Sequence, residues 1–179
     1  MVVRAMRAER AVEGVGAAEA WRLYGSIRLS QVVARSLPEL ISRIEVVRLE
    51  GEEGGAGTVL QLFFVDEALM SPYKEKFTLV DDARRVKETE VVEGGYLDLG
   101  FSLYRVRFEL IDGGGGGDVN SSSSCCTVRT TVEYEVKEGC DEETAAKLVS
   151  MEPLLEVMRV ASDHLLAAAA PPPHDESQS

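Results

Sequence analysis

With 31 acidic and 19 basic side chains, the 179-residue chain carries a formal charge of −12, and 45% of its residues are hydrophobic. That is ordinary material for one domain around one core, while the charge excludes nucleic acid and anionic membrane surfaces as main partners, because both are held by clustered Lys and Arg. Two histidines, His164 and His174, are too few for a multi-histidine metal site, so chemistry falls to carboxylates, lysine and tyrosine.

The first predicted element, Val2 to Val12, is a strand. Arg4, Arg7, Glu9 and Arg10 interrupt the same stretch, which therefore holds no apolar signal-peptide core. Nowhere does an apolar run approach the ~20 residues of a bilayer span. Ala17 to Tyr24 and Ser30 to Leu37 read as short helices, the second stopped by Pro38. Six strand-like runs follow: Ile41 to Leu49, Thr58 to Phe64, Tyr73 to Val80, Arg85 to Val92, Phe101 to Ile111 and Thr127 to Val136. The last two alternate most clearly. Tyr104, Val106, Phe108 and Leu110 share one face and Arg105, Arg107 and Glu109 the other, so one face meets a core and the other water.

From Glu142 to about Leu166, Leu148, Met151, Leu155, Met158 and Leu165 recur at helical spacing, with Asp141 as a candidate cap and Pro153 expected to kink the helix or bend its first turns away. The fold class is α+β: a seven-stranded antiparallel sheet, two short helices and a long C-terminal helix. Such a helix across a curved sheet can close over a solid core or a cavity, and periodicity leaves both open. The domain is expected to span residues 1–166, with a flexible loop at 112–124 (DGGGGGDVNSSSS) and a disordered tail at 167–179 (AAAAPPPHDESQS). Cys125 and Cys126 are adjacent and Cys140 leaves an odd count, which points to a reducing compartment, the cytoplasm or nucleus.

Three motifs invite a functional reading. Gly51 to Gly57 (GEEGGAG) lacks the Gly-Lys-Ser/Thr ending of a phosphate loop and precedes a strand, so it reads as a tight hairpin. Tyr73, Glu75, Phe77 and Leu79 fall on one face of their strand. Pointed inward, that face would carry a phenol and a carboxylate into an apolar interior and raise the carboxylate's pKa. Lys87, in the next strand, joins them if the intervening turn has an odd number of residues and points to solvent if the number is even. Glu93 to Gly100 (EGGYLDLG) sets an aromatic and two leucines between glycines, either a loop folded over something or a plug of the core.

The run from Tyr73 to Gly100 (YKEKFTLVDDARRVKETEVVEGGYLDLG) closely resembles the central segment of plant norcoclaurine synthases, members of the Bet v 1 family of pathogenesis-related class-10 proteins. Gly54 to Leu60 (GGAGTVL), Thr130 to Lys137 (TTVEYEVK) and Met151 to Leu155 (MEPLL) resemble the family's glycine-rich loop, late strand and kinked helix. The resemblance implies a START-like helix-grip fold with an apolar cavity. It implies that small apolar or aromatic metabolites or hormones bind there, in a monomer or weak dimer, without metal or cofactor. Phe77, Leu79, Tyr96, Tyr104, Val106, Phe108, Leu155 and Met158 are then the candidate lining residues.

The resemblance also implies an alternative, a Pictet–Spengler lyase of alkaloid biosynthesis joining a phenethylamine such as dopamine to an aldehyde. On the matching positions Lys87 is the general acid and base, aided by Tyr73 and Glu75, and Lys87 must then face inward through an odd-length turn. The family's aspartate falls on Val106, which can neither hold an amine by charge nor exchange a proton. Abscisic-acid receptors share only the fold: their Ser-Gly-Leu-Pro-Ala and His-Arg-Leu loops are replaced by Met70-Ser71-Pro72 and Tyr96-Leu97-Asp98.

Overall fold

Alternation of apolar and charged residues along the strands is satisfied by one antiparallel sheet with a dry face and a wet one. The computed structural model describes residues 2–113 and 124–171. In chain order it contains β1 (Arg4–Glu13), α1 (Ala17–Tyr24), α2 (Arg28–Ser36), β2 (Ile41–Arg48), β3 (Val59–Phe64), β4 (Tyr73–Asp81), β5 (Val86–Gly94), a 3₁₀ turn (Gly95–Leu97), β6 (Phe101–Asp112), β7 (Cys125–Val136), α3 (Glu142–Ala146) and α4 (Glu152–Ala169). The strands lie in the order β1-β7-β6-β5-β4-β3-β2, so the open sheet ends on β1 and β2.

On the dry face, Tyr104, Val106, Phe108 and Leu110 of β6 and Val128, Val132 and Tyr134 of β7 are buried beneath the helices. On the wet face the charges pair across strands: Arg105 with Glu90 at 3.0 Å and Glu133 at 3.2 Å, Arg107 with Glu88 at 2.7 Å, and Arg129 with Glu9 at 2.7 Å. Pairs of this kind, half-buried on a sheet surface and still in reach of water, add little stability each, but they hold every one of these charges on the outer side. The glycine-rich segment connects β2 to β3 as a hairpin. Its Glu53 backbone carbonyl accepts from Ile27 N at 2.9 Å, and the Glu53 side chain pairs with Arg28, which fastens the loop to the start of α2.

Of the two effects expected of Pro153, the structure shows the second: the first turns stand apart from the long helix as a separate short one. Pro153 lacks an amide hydrogen and cannot sit inside a helix without breaking its ladder. It therefore occupies the first turn of α4, while Asp141 caps the separate short helix α3 by accepting from Thr144 N at 3.2 Å. Starting at Glu152 sets the phase of α4. Met158, Ala161 and Leu165 are buried, whereas Leu155, expected to line the interior, is 44% exposed and Leu148 46%. The helix continues to Ala169, into the segment read as tail; residues 172–179 of that tail and 114–123 of the glycine and serine loop lie outside the described residues. No helix among the described residues is long and apolar enough to cross a membrane.

Candidate active site

Between the sheet, α2 and the start of α4 lies a cavity of about 210 Å³ whose wall is mostly aliphatic and aromatic. Its polar side chains include Tyr73 and Glu75 from β4, Lys87 and Thr89 from β5, Tyr96 from the 3₁₀ turn and Tyr104 from β6. The sequence-predicted trio Tyr73, Glu75 and Lys87 is therefore brought together, and Phe77, Tyr96, Tyr104, Val106 and Phe108 line the same space.

Lys87 points inward by a route other than the expected odd-length turn. Asp81 pairs with Val86, leaving residues 82–85, an even number, in the turn, and Val80 pairs with Lys87. A bulge between Phe77 and Leu79 then shifts the register by one residue, so that Phe77 faces Thr89 and Glu75 faces Val91. The extra residue in β4 does what an odd turn would have done. It also corrects the assignment of Leu79, which the bulge turns away from the cavity while Val80 takes the inward place against the core. Leu155 is likewise not a lining residue. Nor is Met158, which is fully buried against β7, where Thr130 Oγ1 donates to its Sδ at 3.2 Å. Pro153, Leu154 and Val157 supply the helix wall instead.

The turn is held from outside the sheet. Asp81 Oδ1 accepts from Arg84 N at 2.9 Å, Arg85 adopts φ +53°, and Trp21 Nε1 of α1 donates to Asp82 Oδ1 at 2.8 Å. Lys87 Nζ in turn donates to the carbonyl of Ser26, between α1 and α2, at 3.2 Å. Its ammonium lies 4.5 Å from the centre of the Phe77 ring and 6.0 Å from that of Phe108. Only 3% of Lys87 is exposed, and among the described residues it has no carboxylate in ion-pair contact. Desolvation consequently lowers the amine from 10.5 to about 8, with the Glu75 charge opposing. Burial pushes the Glu75 carboxyl up, against the opposing pull of Lys87 and the Thr89 hydroxyl.

The phenols form a ladder above these groups. Tyr96 stacks on Tyr104 with ring centres 3.6 Å apart, and Tyr73 sits 6.4 Å from Tyr96 and 5.3 Å from Phe64. Burial raises the pKa of all three hydroxyls, and nearby Glu75 adds to the rise at Tyr73 and Tyr104. Gly95 makes the arrangement possible: it adopts φ +52°, and a Cβ there would lie 2.6 Å from the Tyr73 ring. The segment read as either a cover or a plug is thus both, a short turn that buries Tyr96 in the core and presents it to the cavity. Thr89 and Ser30 are polar lining residues that sequence reading missed. Thr89 could have been found, because it shares the period-two face of Lys87 and Val91. His164 is exposed at the far end of α4, outside the cavity. Among the described residues, no group of three His, Cys, Asp or Glu side chains is placed to hold a metal ion.

A sequence profile of the pathogenesis-related protein Bet v 1 family matches residues 6–168. Norbelladine synthase of Narcissus pseudonarcissus is 38% identical over 149 residues, which are 82% of this chain and 82% of that protein. S-norcoclaurine synthase 2 of Papaver somniferum is 34% identical over 130 residues, 73% of this chain; the match spans only 51% of that longer relative. Among solved structures, norcoclaurine synthase from Thalictrum flavum in complex with dopamine and hydroxybenzaldehyde superposes with a TM-score of 0.76 at 28% identity, covering 95% of this chain and 90% of that one.

Proposed function

The chain belongs to the pathogenesis-related protein Bet v 1 family, and from that premise we propose that its cavity binds small aromatic or apolar metabolites. The observation that carries this reading is the cavity itself: about 210 Å³, walled by aliphatic side chains and a ladder of tyrosines. Such a wall selects flat, one-ring molecules by area and by ring stacking, and the few polar groups orient them. Displacement of a fluorescent apolar probe by aromatic amines, aldehydes and phenols tests it. Saturable competition supports the reading, and absence of any probe binding overturns it.

A second reading, condensation of an arylethylamine with an aldehyde, is favoured by the convergence of Lys87, Glu75 and Tyr73 on one wall. A desolvated lysine near neutrality can take a proton from an incoming ammonium and return it to a leaving hydroxyl. A carboxyl raised by burial can accept the proton lost when an aromatic ring is restored. The relatives named as norbelladine and norcoclaurine synthases, and the dopamine and hydroxybenzaldehyde held by one of them, supply the substrate classes for this chain. Val106 stands where the family resemblance expects an aspartate, so in this chain the amine meets one fewer anion. Incubation with dopamine and 4-hydroxyphenylacetaldehyde followed by chiral chromatography tests this reading. Stereo-enriched product that disappears in Lys87→Ala supports it, and racemic product at the background rate overturns it.

A further inference from the structure

We propose that Lys87 is itself a nucleophile toward aldehydes: with no amine present, its Nζ forms a covalent imine with an aromatic aldehyde in the cavity. A primary amine then takes over the carbon by exchange. This rests on the second reading above, and it adds a covalent step in which the aldehyde is held on the protein before the amine arrives.

The surroundings of Lys87 select the neutral amine by geometry. Directly across the ladder on one side is Val80 and on the other Phe108. Next to Phe108 on the same inward face stands Val106, so no carboxylate lies directly across the ladder from the amine; Glu75, further along β4, is the carboxyl whose charge acts on Lys87 and opposes its neutral form, without forming an ion pair with it. Phe77 covers a further side. An ammonium brings three donors and, among the described residues, finds one hydrogen-bond acceptor, the Ser26 carbonyl. A neutral amine satisfies that carbonyl with one N–H and keeps a lone pair for the cavity that Lys87 lines. The other lysines are situated differently. Lys74 is held on Glu93 and Lys147 on Glu143, at 3.0 and 3.1 Å, Lys137 donates to the Leu97 carbonyl at 2.7 Å, and Lys76 is exposed on the outer face. With its amine lowered to about 8, about one Lys87 in ten is neutral at pH 7, enough to react without a separate base.

The chemistry closes with groups already in the cavity. The Nζ lone pair attacks the aldehyde carbon and the C=O π pair moves to oxygen, which takes up the proton released by nitrogen, giving a carbinolamine. Protonation of that hydroxyl by the Glu75 carboxyl, whose pKa burial pushes upward, lets it leave as water. The nitrogen lone pair forms C=N, and the iminium on Lys87 is left facing the Glu75 carboxylate. A primary amine adding to the same carbon expels Lys87 as its amine and carries the imine away, with no oxidant or reductant consumed.

The test is reductive trapping. The full chain is incubated with 4-hydroxybenzaldehyde and sodium cyanoborohydride at neutral pH, digested and mapped by mass spectrometry. The expected result is one modified site, Lys87, heavier by one aldehyde less one oxygen atom. The label should be suppressed by excess 4-hydroxybenzyl alcohol, which has the same ring and no carbonyl, and by excess phenethylamine. Glu75→Gln should keep the site and slow labelling by at least about tenfold, since it can no longer protonate the leaving hydroxyl. Lys87→Arg should abolish the label. Modification spread over Lys74, Lys76, Lys137 and Lys147 with Lys87 untouched overturns the proposal. If the alcohol binds by calorimetry but no label forms, the covalent step is wrong and the binding reading stands. If neither binds nor labels, both fall.

Discussion

Replacing Lys87 by methionine should stabilise the protein at neutral pH while removing its chemistry. An amine lowered from 10.5 to about 8 by desolvation disfavours its charged form in the fold by about 3 kcal/mol. Methionine fills a similar volume without that cost. It does leave the Ser26 carbonyl without its donor, which returns about 1–2 kcal/mol. The net gain is about 1–2 kcal/mol, or about 2–8 °C in Tm for a domain of this size. The pH dependence identifies the cause. Because the folded amine sits below its unfolded value, the unfolded chain binds the extra proton between about pH 8 and 10.5, so the wild-type protein gains stability from this group as pH rises through that window. Below pH 8 the penalty is full and constant. Urea denaturation of wild type and Lys87→Met at pH 7, 8.5 and 10 should therefore show the variant ahead at pH 7 and its lead lost by pH 10. A variant less stable than wild type at pH 7, or a difference independent of pH across the window, refutes the reasoning.

Four further substitutions test the site and its supports. Val106→Asp places a carboxylate on the cavity wall opposite Thr89 and Val132; it should lower KM for amine substrates and slow aldehyde capture by protonating Lys87, at a stability cost of about 1–3 kcal/mol, and an unchanged KM would remove Val106 as a determinant of amine binding. Gly95→Ala puts a Cβ into the Tyr73 ring from a backbone at φ +52°; it should cost about 1–3 kcal/mol in chemical denaturation and weaken aromatic ligands measured by probe displacement. Met158→Ala should cost about 2–5 kcal/mol because the residue is fully buried, whereas Leu155→Ala should stay within about 0.5 kcal/mol, a contrast that equilibrium denaturation resolves directly.

The element order and sheet class were readable because buried and half-exposed residues alternate along β6 from Leu103 to Ile111 and along most of β7, where only Thr131 breaks the pattern. What escaped depended on single backbone events. The bulge after Phe77 has no glycine or proline to announce it, yet it exchanges the roles of Leu79 and Val80. Pro153 was visible, but its effect on the wall is a matter of phase. A helix that starts at Glu152 presents Leu154, Val157 and Met158 inward and leaves Leu155 outside, whereas a helix running through from Glu142 would have placed them otherwise. Met158 at core spacing tells a reader that it is buried, and only the packing against Thr130 tells which side of the core it serves. Even the apolar cavity follows from no periodicity, since a filled and a hollow interior ask the same residues to point the same way.

The inward phase of Lys87 could have been read without knowing the turn. In β5 the residues Lys87, Thr89 and Val91 alternate with Glu88 and Glu90. Two glutamates on one face need cations, and the neighbouring strand β6 offers Arg105 and Arg107 at the same period. Pairing those four charges on the outer face satisfies both strands at once, and it forces the remaining set, with its lone lysine, into the interior. The alternative phase would bury two carboxylates and two guanidiniums to expose one amine, which costs far more than desolvating the amine alone. A single strand therefore leaves the lysine's direction open, but two adjacent strands read together decide it. The outer charges that make up so much of the chain's composition are in this sense what drives one positive group into an apolar cavity, where its chemistry becomes useful.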